Sequence, residues 1–102
     1  MQIQINTDHN VEGHARLIEH VRGLVETALS RYSKHITRVE VHLSDENADK
    51  TGGLDKRCMI EARFEHRQPI AVTDHASDVD AAVHGAVHKL GRLIESTLGR
   101  VA

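Results

Sequence analysis

Nine histidines, a high number for 102 residues, are the side chains of this chain best suited to chemistry. His84 and His88 stand four apart, a spacing that puts two imidazoles on one helix face and can hold a metal ion. Asp80, four residues before His84, extends the same stripe. Two histidines without a third strong ligand make a weak metal site. Solvated helix-face histidines are the simpler reading, and no metal or other cofactor is expected. His14 falls toward the apolar side of the first helix and reads as a boundary packing residue. Cys58, the single cysteine, occupies an inward strand position, where a small buried hydrophobe is expected rather than a nucleophile. A lone cysteine forms no intrachain disulfide, which fits a reducing compartment. Gly52-Gly53 lacks the Lys-Ser/Thr and the helix of a phosphate-binding loop, and no serine has a nucleophile-elbow context. The chain is therefore expected to carry no catalytic apparatus.

Cations offer a second kind of chemistry. Thirteen Lys and Arg face fifteen Asp and Glu, a net charge of −2 that protonation of every histidine would raise to +7. A dedicated nucleic-acid module is usually more basic. Distribution matters more than the sum, however. On a helical wheel Arg16, His20 and Arg31 share one flank of the first helix. Lys89, Arg92 and Ser96 share a flank of the second, with His88 beside them. Two parallel-packed helices that brought these flanks together would form a cationic strip able to follow a phosphate backbone. Acidic Asp45, Glu46, Asp49 and Asp55 are set apart in a loop. Both aromatic residues, Tyr32 and Phe64, point inward, so base stacking is not expected and any RNA contact should read shape and phosphate.

The elements that must position these groups follow from periodicity. Residues 1–6 alternate as a strand with Ile3 and Ile5 on one face, and Thr7-Asp8-His9-Asn10 supplies turn and N-cap chemistry. From about Val11 to Ser33, Leu17, Ile18, Val21, Leu24, Val25, Ala28, Leu29 and Tyr32 recur at helical spacing. A strand over about 36–44 turns Val39, Val41 and Leu43 inward, and a solvated loop with Gly52-Gly53 follows. A third strand over about 57–66 alternates Cys58, Ile60, Ala62 and Phe64 against polar neighbours. Pro69 starts a short fourth strand with Ile70 and Val72, a position compatible with a sheet edge. The last helix, about Asp78 to Leu98, has Ser77 as N-cap and a stripe of Val79, Ala82, Val83, Ala86, Val87, Leu90, Leu93 and Ile94. Gly85 and Gly91 fall outside that stripe. Each is either a tolerated surface glycine or room for something to come close to the helix backbone.

This order, β-α-β-β-β-α over residues 1–102, predicts one domain of the α+β class. A four-stranded mixed sheet should carry both helices on one face in two layers, its first two strands parallel if adjacent and the rest joined as hairpins. No signal peptide and no apolar run of membrane-spanning length is apparent, and a soluble cytoplasmic protein is expected.

Two stretches in this order resemble the ribosome hibernation-promoting factor and ribosome-associated inhibitor family, also called sigma-factor modulation or ribosomal subunit interface proteins. One is Ile36-Thr37-Arg38-Val39-Glu40-Val41-His42-Leu43, a strand after a helix ending near Tyr32. The other is Asp78-Val79-Asp80-Ala81-Ala82-Val83, continuing to His88-Lys89-Leu90-Gly91-Arg92-Leu93, where the family shows an acidic-apolar-x-Ala-Ala-Ile start and a Lys-Leu-x-Arg core. The resemblance covers nearly the whole chain and fits the short, single-domain form. It implies a non-catalytic bacterial factor that binds small-subunit ribosomal RNA through its helix face and restrains translation under stress. Lys89 and Arg92 match family positions that are basic and contact RNA. His88, Arg16, His20, Arg22 and Arg31 are added to the candidate RNA-binding set from helix geometry. The alternative is a protein-interaction or dimerisation module on the same fold, using the polar sheet face or an edge strand.

Overall fold

A computed structural model describes residues 1–8, 11, 15–46 and 55–99. Strand β1 (Gln2–Thr7) is followed by helix α1 (Ala15–Leu29), which tightens into a 3-10 turn over Ser30–Tyr32. Strands β2 (Ile36–Asp45), β3 (Lys56–Phe64) and β4 (Arg67–Ala76) come next, and helix α2 (Val79–Leu98) closes the order. The sheet runs β1-β2-β3-β4, with β1 parallel to β2 and the two hairpin pairs antiparallel. This is the α+β, two-layer architecture that the periodicity predicts.

Register explains why one sheet face is apolar. Ile3, Val39 and Ala62 stand abreast, as do Ile5, Val41, Ile60 and Val72. These inward rows meet Val21, Val25 and Leu29 of α1 and Ala82, Val83, Ala86, Leu90 and Ile94 of α2, all with no exposed surface. Ala82 and Ala86 keep α2 close to its neighbours, since a small side chain shortens the approach between packed elements. On the outer face like charges stand opposite one another, Arg38 facing Arg63 and Glu40 facing Glu61. The repulsion is offset diagonally and along the strands: Arg38 lies 3.3 Å and Arg63 3.4 Å from Glu40, and Arg63 lies 2.9 Å from Glu61.

Several expectations shift. Helix α1 is described from Ala15 rather than Val11; Val11 is a bend whose N–H is taken by the Asp8 carboxylate at 3.1 Å. The N-cap of α2 is Asp78, not Ser77: its extended backbone lets the carboxylate accept the Ala81 N–H at 2.7 Å. Strand β4 is ten residues long, not short, because its inward row continues through Asp74 to Ala76. Leu93, placed in the buried stripe, is 41% exposed, since it lines an open groove where α2 passes Val72 of β4. His14, Asp49 and Gly52-Gly53 lie outside the described residues. Among the described residues no helix is long and apolar enough to cross a membrane.

Candidate nucleic-acid interface

Helices α1 and α2 lie side by side and run the same way. Near their N-termini His20 Nε2 meets Asp80 Oδ1 at 2.6 Å, and near their C-termini Arg31 Nη1 meets Glu95 Oε1 at 3.5 Å. Between these two contacts an open groove of about 370 Å³ runs along the seam. Helix α2 supplies one wall from His84, His88, Arg92 and Glu95, spaced four, four and three residues apart on one helix face. The 3-10 turn supplies Arg31 and Tyr32, and exposed Ala28 leaves the floor open where a longer side chain would fill it.

A carboxylate of α2 anchors each of the two inter-helix contacts. Asp80 accepts His20 through one oxygen and lies 3.5 Å from His84 Nε2 through the other. Glu95 accepts the Tyr32 hydroxyl at 2.8 Å, and the Arg31 guanidinium lies 5.6 Å from the Tyr32 ring centre. Burial first, and then the Glu95 carboxylate, hold the Tyr32 phenol above its ordinary pKa. Between the ends the balance is cationic: Arg92 and His88 are exposed and have no ion pair or hydrogen bond among the described residues. Such groups keep their full field for an arriving anion.

The remaining candidates are distributed differently from the helical-wheel expectation. Lys89 and Ser96 do not face α1; they line a second groove with Val72 and Leu93, where α2 passes β4. Lys89 Nζ donates there to the Thr73 carbonyl at 3.0 Å and to Asp74 at 2.9 Å. That pair holds the Asp74 carboxyl below its usual range. Arg92 lies between the two grooves and lines both. Arg22 points to the opposite edge of the sheet, donating to the Ile3 carbonyl at 2.5 Å and lying 3.6 Å from Glu19. Arg16 is exposed near the start of α1 and does not line the groove. Thus Arg31, His88 and Arg92 come together, His20 pairs with Asp80 across the helix seam, and Arg16, Arg22 and Lys89 stand apart.

Glu95, Tyr32 and His84 belong to the groove although the candidate RNA-binding set omits them. Their α2 spacing is legible; which residues of α1 face them depends on the tilt of one helix against the other. As a metal site His84 and His88 lack a partner set: no group of three His, Cys, Asp or Glu suited to an ion occurs among the described residues. Cys58 is fully buried, and its thiol is pushed up to about 12, first by burial and then by the charge of Asp74. It sits as a core side chain, not as a nucleophile.

Similar folds are found among solved structures. The Thermus thermophilus Protein Y N-terminal domain superposes with a TM-score of 0.73 at 22% identity, covering 95% of this chain and 99% of that one. A ribosomal subunit interface protein from Coxiella burnetii gives 0.72 at 18% identity, covering 98% and 100%. No curated protein matches the sequence. The model of the sigma 54 modulation protein / S30EA ribosomal protein family matches residues 3–101. By that match, across almost its whole length, the chain belongs to the sigma 54 modulation protein / S30EA ribosomal protein family.

Proposed function

We propose that this protein is a non-catalytic, cytoplasmic ribosome-associated factor that binds small-subunit ribosomal RNA through its helix face and so restrains translation under stress. The observation that carries the reading is the inter-helix groove, open along its length and lined by Arg31, His88 and Arg92. A phosphate backbone fits such a channel because guanidinium and imidazole N–H donors meet it in sequence, while no exposed aromatic competes for bases. The family's ribosomal-protein name, and the Coxiella relative's name as a ribosomal subunit interface protein, support the same partner.

Phosphate neutralisation makes association salt-dependent, with a slope that grows by about 0.7–0.9 for each phosphate contacted. Co-sedimentation with purified bacterial small subunits near pH 7, at low and high salt, tests the reading. Association at low salt that is lost at high salt, and lost in Arg92→Glu, is expected. No association at low salt would overturn the ribosome reading and bring forward a protein-interaction module. Against that alternative, the charges of the outer sheet face are already satisfied by one another.

A further inference from the structure

Beyond the inter-helix groove, where both helices end, a further cavity of about 180 Å³ opens. Lys34, His35, His66 and Arg67 surround it over an apolar floor of Phe64 and Leu98. Two separate segments bring these basic side chains together, and a third supplies Leu98. Lys34 and His35 sit in the turn after the 3-10 helix, closed by the His35 N–H on the Tyr32 carbonyl at 2.9 Å. His66 and Arg67 come from the tight β3–β4 connection, in which Phe64 and Arg67 are paired across only two intervening residues. Leu98 is the last residue of α2.

The connection itself is unusual. His66 holds φ at +63°, the left-handed region where a residue with a β-carbon is disfavoured and glycine is the common choice. A side chain kept at such a position points to a use for that side chain. Lys34, His35 and His66 have no side-chain hydrogen bond or ion pair among the described residues. Arg67 spends one Nη on the Thr97 carbonyl at 3.4 Å, leaving the rest of its five-donor fork free. Among the described residues Glu65 is the one carboxylate in the lining. The cluster also adjoins the groove: Lys34 follows Arg31 by three residues, and Leu98 follows Glu95 by three.

We propose that Lys34, His35, His66 and Arg67 form a phosphate-binding point, filled by a backbone phosphate of bound RNA leaving the groove past Arg31, or by free phosphate. The first source rests on the function proposed above; the second does not. Two measurements on the full chain separate them. In one, inorganic phosphate is titrated at constant pH and ionic strength while the imidazole ring resonances of His35 and His66 are followed by NMR. Saturable shifts in the unaltered protein, lost in Arg67→Gln, are expected. In the other, small-subunit co-sedimentation is repeated over a salt series with Arg67→Gln. A salt slope shallower by about 0.7–0.9, with an unchanged melting temperature, marks one lost RNA phosphate contact. Saturable shifts with an unchanged slope assign the point to free phosphate. The absence of both saturable shifts and a change in slope overturns the proposal. Should the unaltered protein fail to sediment with subunits, the ribosome reading falls and the phosphate titration alone decides this site.

Discussion

The carboxylate of Asp74 occupies the space that a side chain on Gly85 would need. A β-carbon at position 85 would lie 1.6 Å from Asp74 Oδ2 and 2.7 Å from its Cγ. Glycine in α2 therefore lets an inward acidic residue of β4 lie over the helix backbone, where Lys89 holds it from one turn further on. Of the two readings of Gly85, close approach is the one realised, whereas Gly91 has nothing within 4 Å of such a carbon.

Alanine is favoured over glycine inside a helix by about 1 kcal/mol. Gly85→Ala should nevertheless lower stability, by about 1 kcal/mol, because it displaces Asp74 from Lys89. In an Asp74→Ala background the same substitution should raise stability by about 1 kcal/mol. Urea denaturation of the four proteins measures both values, and additive effects would refute the contact.

Asp74 titrates lower in the folded protein than in the unfolded chain, with the Lys89 hydrogen bond as the leading cause. Its contribution to stability is therefore complete above the unfolded value of about 3.9 and declines as pH falls through the lower folded value. Asp74→Asn should remove that part of the acid dependence. Urea midpoints between pH 2 and pH 6 check this, the variant showing the flatter profile.

Lys89 and Arg92 should separate in a charge-reversal experiment. Arg92→Glu removes a cation that has no partner among the described residues, so ribosome association should fall while stability changes by no more than an ordinary surface substitution does, about ±0.5 kcal/mol. Lys89→Glu places a second carboxylate beside Asp74 and should lower the melting temperature measurably as well. Calorimetry beside co-sedimentation distinguishes the two.

Cys58 should resist alkylation. With the thiol buried and pushed up to about 12, almost no thiolate is present at pH 8. Iodoacetamide should modify it only on unfolding, which mass spectrometry with and without urea will show. Rapid modification of the folded protein would contradict the core assignment.

Tyr32→Phe removes the hydroxyl that joins the end of α1 to Glu95 of α2. A loss of about 1 kcal/mol is expected from the missing hydrogen bond, since the apolar ring remains in place. A chemical-denaturation comparison measures it, and an unchanged midpoint would show that water replaces the contact without cost.

Local physics determined the element order, the two-layer fold and most of the core. Alternation of period two in Val39, Val41, Leu43 and Cys58, Ile60, Ala62 identifies strands with one buried face, and the Ala82–Ile94 stripe identifies the buried side of α2. The stripe from His84 to Glu95 was likewise legible, because helical spacing alone places those residues together. Tertiary structure alone decided where the cations went. Lys89 and Arg92 differ by three residues and share a helix flank, yet one is drawn to Asp74 on β4 while the other stays open between two grooves. Asp74 interrupts an apolar alternation, so its inward position becomes intelligible only with Gly85 beneath it and Lys89 beside it. Helix propensity and strand alternation act within a few residues. Which charged side chain meets which depends on how a helix is seated against a strand some fifteen residues away in sequence, as from Asp74 to Lys89, and that seating is set by packing of the whole core.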